Sequence, residues 1–321
     1  MKKIEALQHF NDNYVKEKRD QKLKELDEFY NINRDVLAKD ILEAFRNVCV
    51  KAGKLQLEGI KENIAYISFS MVRVKLLNND YKYFVDAYNE ILYLDEVQCR
   101  SYYDASWAFR FLEEFEKELE QSRKLYINKI LKSDIEKIKL QDAALYNDYI
   151  VKLATYVMPE AVKIKEYLDL KREEVVDIRV GEYKASRQVV YKEDLRIKDS
   201  GSIKSWLEGK YELEYEHEVL RNLDLSGGDY EGIDLSYSDF TGSDLSKSNW
   251  RKSTLIGANF YKANLDGVDF GQADLSDCDL REAILKNTSF AGAQLQGARF
   301  LEKDISLLNL DEVQKKDIIA L

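Results

Sequence analysis

The chain has 321 residues, enough for two domains of ordinary size, and its 45% hydrophobic and 12% aromatic content excludes wholesale disorder. A formal net charge of -10 disfavours direct binding to nucleic acid or to an anionic membrane. No run of about 18 apolar residues exists, so neither a transmembrane helix nor membrane insertion is expected. Cys49, Cys99 and Cys278 are odd in number and widely spaced, which suits a reducing compartment and neither a disulfide framework nor a zinc site. The start, Met1-Lys2-Lys3-Ile4-Glu5, lacks the apolar core of a secretory signal, so the cytoplasm is the expected location.

In chain order, residues 2–30 read as a helix carrying Ile4, Leu7, Phe10, Tyr14, Leu23, Leu26 and Phe29. Its middle, Lys16 to Lys22, has no apolar residue and reads as a solvated face or, more sharply, a partner-binding arm. Asp35 can cap a second helix through about Lys51, with Leu37, Ile41, Phe45 and Val48 on one stripe. Tyr66–Val74 and Tyr81–Tyr88 are β-branched, aromatic and partly alternating, and Asn78-Asn79-Asp80 between them is turn chemistry, so a β-hairpin is predicted. A helical reading of Ile60, Ile64, Ile67 and Met71 stays open. Asp104 caps a helix with Trp107, Phe111, Phe115 and Leu119, and another starts near Ser133 and should stop or kink at Pro159. A short helix around 160–170 leads to a second hairpin, Val175–Val180 with Arg187–Tyr191, and then to a short helix from Ser200 holding Trp206. The segment around Tyr211–Leu220 alternates and is read as the first, atypical edge of a coil.

From Leu225 to Leu310 every fifth residue is large and apolar, as in Leu245, Trp250, Leu255 and Phe260. Two residues before each lies a mostly small one, such as Ser243, Ala258, Ala273 or Cys278. A unit such as Ala263-Asn264-Leu265-Asp266-Gly267 therefore alternates in-out-in like a half-buried strand and ends in a corner. Grouping by twenty gives columns of like residues, among them Leu225, Leu245, Leu265 and Leu285, and Tyr230, Trp250, Phe270 and Phe290. Like residues in a column imply stacking, with four units to a coil. The motifs Ala258-Asn259-Phe260, Ala263-Asn264-Leu265 and Ala273-Asp274-Leu275 resemble the A-[DN]-L-x-x units of the pentapeptide-repeat proteins. That resemblance implies a right-handed quadrilateral β-helix, here of about 4.5 coils.

The expected architecture is thus multidomain α+β. A mostly helical domain with short β-hairpins spans 1–210 and resembles no known family, a β-helix spans 211–308, and a C-terminal capping helix spans 309–321, opened by Asn309–Val313. An uncapped stack exposes its last apolar layer and strand edge, so this last segment is read as a lid, or as a dimerisation surface, since the resemblance implies pairing through that end.

Chemistry is sparse. His9 and His217 have no Cys or acidic neighbour at metal-ligand spacing, and no phosphate-binding loop, dinucleotide fingerprint, zinc-protease or nucleophile-elbow motif appears. No catalytic, cofactor or metal site is expected. The resemblance also suggests imitation of duplex DNA towards a type II topoisomerase. A stack of roughly 22 Å at strand spacing would then display about 13 negative charges. Residues 221–303 carry 13 acidic and 9 basic residues, a net of only -4. The favoured expectation is a non-catalytic scaffold or adaptor for protein partners, with Ile256, Tyr261, Ile284 and Leu301 as outward apolar docking points.

Overall fold

The computed structural model describes residues 2–185, 187–210 and 215–321, and the chain divides into two compact units, Met1–Tyr191 and Lys192–Leu321. The alternation read at 211–214 lies outside the described residues.

The N-terminal unit begins with α1 (Lys3–Phe10), a π-helical turn (Asn11–Val15) and α2 (Lys16–Leu57). α2 runs through the break expected at Asp35, because no Gly or Pro interrupts the chain there and Leu26, Tyr30, Leu37, Ile41 and Phe45 keep one buried stripe. Asp35 accepts a hydrogen bond from Tyr156 Oη at 2.8 Å instead of capping a helix. The charged stretch is not a free arm either. Arg19 donates two hydrogen bonds to Asp142 at 2.7 and 2.8 Å, Lys18 meets Glu118 at 2.9 Å, and buried Lys22 joins Glu25 and Glu114 at 2.8 and 3.0 Å. Burial alone would pull the Lys22 ammonium down, but its glutamates hold it well above the ordinary lysine value. Absence of apolar residues here marks an ion-pair seam against α4 (Ser106–Arg123) and α5 (Lys132–Ala161).

The expected hairpin is present as β1 (Ile64–Met71) and β2 (Lys82–Tyr88), antiparallel with Phe69 opposite Val85, although a helical turn, α3 (Arg73–Leu76), lies in the connection. The helical alternative for Ile64, Ile67 and Met71 is thereby excluded. β3 (Arg100–Asp104), which the sequence did not announce, pairs with β2. After α5, whose last turn contains Pro159, and α6 (Lys165–Leu168), β4 (Arg172–Glu182) runs parallel to β1 and is followed by β5 (Arg187–Asp194). The sheet order is β3-β2-β1-β4-β5. Ile67, Phe69, Val85, Ile178 and Val180 share the core with residues of α2, α4 and α5. The other face carries Ser68, Ser70, Asp86 and Arg100, which the same registers place together.

The second unit opens with α7 (Ser200–Gly209), N-capped by Asp199, whose carboxylate accepts from Ser202 N at 2.7 Å. Leu207, Ile203 and Trp206 pack against the same core as the repeat. The division into units after Tyr191 groups α7 with the repeat, whose core its apolar side joins. From Val219↔Asp239 to Asp279↔Arg299, parallel bridges join residues twenty apart. Leu225 N donates to Asp244 O at 2.8 Å and Asp244 N to Leu223 O at 2.9 Å, and this two-way ladder repeats upward. Inside, Phe240 and Phe260 stack at 5.0 Å and Tyr230 meets Trp250 at 4.5 Å. Their polar atoms are answered locally: Trp250 Nε1 donates to Ser248 Oγ at 2.7 Å and Tyr230 Oη to Leu225 O at 3.0 Å.

The C-terminal segment is only partly the helix expected for 309–321. α8 (Glu302–Ile305) and α9 (Gln314–Asp317) are single turns, and the chain then adds β7 (Ile319–Ala320) in parallel to β6 (Arg299–Phe300). An open strand edge is best covered by backbone that can hydrogen-bond to it. Ile319 N reaches Ala298 O at 2.8 Å and Leu321 N reaches Phe300 O at 3.0 Å. Buried Gln314 adds bonds from Nε2 to Phe290 O and Ala293 O, at 2.8 and 2.9 Å.

Candidate interaction surface

Where it is Asp or Asn, the outward residue of a unit does two jobs. Its side-chain oxygen accepts the backbone N–H two residues on: Asp234 from Ser236 and Asp274 from Ser276 at 3.0 Å each, and Asn259 from Tyr261 at 3.0 Å. That contact is an Asx turn, and it bends the chain out of the strand into the corner. The corner's second residue then adopts positive φ, at every fifth position from His217 to Gly297. At Gly257 the stack also needs the missing side chain, since a Cβ would lie 2.6 Å from the Tyr237 ring of the coil before.

The second job is lateral. Asn249 Nδ2 donates to Asp229 at 2.9 Å and Asn264 Nδ2 to Asp244 at 3.0 Å, each across one coil. Alternation of acid and amide down a column therefore replaces repulsion with hydrogen bonds. Arginines neutralise others, with Arg251 to Asp269 at 3.1 Å and Arg281 to Asp279 at 2.6 Å. Burial would push the Asp279 carboxyl up, and the Arg281 guanidinium outweighs that to hold it below the usual range. The turn role was not read from the sequence, although the fixed two-residue offset to the corner was its signal.

Of the four apolar docking points, Ile284 is exposed, at 54%, and Ile256, Tyr261 and Leu301 are half-buried. They do not form one patch. Tyr261 and Leu301 occupy the same corner column with Arg281 between them, Ile284 stands on the wall that follows, and Ile256 lies one corner earlier. Tyr261 Oη donates to Glu282 at 2.9 Å. Ile284 is the one to single out. Its column otherwise holds Asp224, Asp244 and Asn264, so an aliphatic side chain stands where the repeat places a turn acceptor.

His9 is exposed, with Nδ1 2.7 Å from Tyr126 Oη. His217 is buried, with its ring stacked on Tyr237 at 5.0 Å, and burial together with the Lys192 charge lowers it to about 4. The Cys278 thiol is wholly buried in a small inward position. Among the described residues no group of three or more His, Cys, Asp or Glu could hold a metal ion, and no helix is long and apolar enough to cross a membrane.

A ladder of five-residue units bonded twenty residues apart defines a β-solenoid. Residues 233–272 and 263–300 match the family of pentapeptide repeats, in 8 copies, so this C-terminal region is a pentapeptide-repeat segment and forms the right-handed β-helix such repeats imply. Among solved structures the chain is similar to HetL, a pentapeptide repeat protein involved in heterocyst differentiation regulation in the cyanobacterium Nostoc sp. strain PCC 7120. Identity is 26% over 33% of this chain and 51% of HetL, with a TM-score of 0.24, so the chain spans about half of that protein. It is similar also to a second pentapeptide repeat protein of Nostoc PCC 7120, at 24% identity over 39% of this chain and 99% of the other, TM-score 0.26. A third, from the Arabidopsis thaliana thylakoid lumen, is 29% identical over 34% and 77%, TM-score 0.20. No curated protein matches the chain.

Proposed function

We propose that the chain is a non-catalytic scaffold or adaptor in the cytoplasm, in which a quadrilateral β-helix of about 4.5 coils serves as a rigid rod and the helical unit selects the protein partner. The observation that carries this reading is Ile284. At that position the repeat forgoes an Asx acceptor and presents an exposed aliphatic side chain on a wall otherwise lined by Asp224, Asp244 and Asn264. Loss of a turn hydrogen bond for exposed apolar surface favours contact with another protein over stability of the fold. Ile256, Tyr261 and Leu301 are its auxiliary contacts, and a homodimer through the C-terminal end is a second use of the rod. Affinity capture from native lysate, with Ile284→Arg beside the wild type, tests the reading. A stoichiometric partner or self-assembly lost in the variant supports it. A wild-type chain that captures no partner and runs as a monomer overturns it.

A second reading, imitation of duplex DNA towards a type II topoisomerase, draws on the consecutive outward Asp224, Asp229, Asp234, Asp239 and Asp244. Arg221 pairs with Asp239, which offsets one of these charges, and the Asx turns tie the carboxylates to their own backbone. A gyrase supercoiling assay decides it: no effect of the purified protein at concentrations on the order of micromolar rejects the mimic.

A further inference from the structure

We propose that the N-terminal unit binds a small oxyanion, a phosphate or carboxylate group, on the sheet face opposite its helices, between Arg187, Ser68 and Ser70 and beneath the ring of Tyr93.

Ser68 lies at the centre of that face. Its Cα neighbours across the sheet are Asp86 on β2 and Arg179 on β4. Ser68 and Ser70 are fully buried and Asp86 nearly so. Both acids here have an arginine partner, although Asp177 Oδ1 is left without a hydrogen bond. Arg100 holds Asp86 with two hydrogen bonds, at 2.7 and 3.0 Å, and Tyr88 Oη donates to it at 3.1 Å. Arg179 holds Asp177 at 2.6 Å. Three arginines against two aspartates leave one positive charge, and it belongs to Arg187.

The hydrogen bonds of Arg187 do not answer that charge. Nη1 donates to Ser68 Oγ at 3.3 Å and Nε to the Glu182 carbonyl at 3.4 Å, both long and both to neutral acceptors. The Glu182 carboxylate is turned to Arg73, at 2.6 Å. Among the described residues, Arg187 Nη2 and Ser70 Oγ are buried without a hydrogen-bond partner, as is Arg179 Nε. Such orphaned donors are costly, and a guanidinium does not shed its charge to relieve them. Burial pulls the Arg187 guanidinium below its ordinary value, which an anion would reverse. The unpartnered Nη2 of this guanidinium fits an oxyanion oxygen, and a serine hydroxyl beside it supplies a further donor.

Tyr93 supplies the cover. Its ring lies 4.5 Å from the Arg187 guanidinium carbon, and its hydroxyl accepts from Lys184 N at 3.2 Å. The loop that carries it is pinned at its base, where buried Lys61 pairs with Asp95 and donates to Val97 O at 2.8 Å.

Calorimetric titration of the full chain with inorganic phosphate, and separately with acetate, tests the proposal. Saturable binding of at least one anion is expected. Arg187→Gln should weaken it at least tenfold, Arg187→Lys severalfold through loss of the fork, and Ser70→Ala severalfold. Lys165→Gln, an exposed charge on α6 away from this face, should change it less than twofold. Preference for phosphate or for acetate assigns the group that the natural ligand carries. Ser70→Ala removes a single oxygen, so it reports even if Arg187→Gln fails to fold. A wild-type chain that binds neither anion, or variants at Arg187 and Ser70 that bind as it does, would overturn the assignment.

Discussion

Asp274 shows what one outward side chain contributes. It accepts the Ser276 N–H at 3.0 Å and the Ser276 hydroxyl at 2.6 Å, and among the described residues no ion pair accompanies these bonds. Asp274→Ala should therefore cost about 1 kcal/mol in urea denaturation, as loss of a cap does, whereas Asp274→Asn keeps the acceptor and should stay within a few tenths. Equal losses in both would assign the effect to charge instead. His217 gives the corresponding prediction for pH. Its folded value is about 4 against an ordinary 6.5, so the unfolded chain takes up the proton first as pH falls. The stabilisation from its burial is complete above about pH 6.5 and lost by about pH 4, roughly 3 kcal/mol over the window. His217→Gln should flatten that part of the stability curve relative to the wild type.

At the scale of elements, the end of the stack rests on Gln314 as much as on β7. Replacing it with Ala leaves the Phe290 and Ala293 carbonyls without their side-chain donor and should cost roughly 2 kcal/mol, read from denaturation of the coil. Elements of this kind were the least legible in the sequence. The coil could be read because one rule repeats in every unit, so Phe240, Trp250 and Phe260 each reinforce the same register. The cap obeys no repeat, and its function lies in backbone hydrogen bonds of Ile319 and Leu321 that side-chain patterns do not encode. In the N-terminal unit, β1 and β2 were legible from alternation. β3 was hidden because Arg100, Tyr102 and Asp104 lie on the sheet face away from the core, leaving Tyr103 as the buried residue of the strand. Lys16–Lys22 misled for the opposite reason. Charge ordinarily signals solvent, but here it meets Glu114, Glu118 and Asp142 across a helix seam. The apolar docking candidates were legible as outward residues, but not their dispersal over different walls and corners.

For the whole molecule, the two units each carry their own core and their own indole reporters, Trp107 in the first and Trp206 and Trp250 in the second. In a Trp107→Phe background, Gln314→Ala should lower the midpoint of the fluorescence transition. Most of the helix belongs to the first unit, so the midpoint of the helical circular-dichroism signal should stay in place. Joint movement of both signals would mean that the units unfold as one. The bridges that join residues twenty apart carry a last implication, for how such a rod can change length. An insertion of one unit would rotate every later residue onto the next wall, setting Leu over Phe and breaking each acid–amide pair at once. Only a whole lap restores the columns. Growth of this rod is therefore quantised, and natural or engineered variants should differ in length by complete laps or by changes confined to the ends.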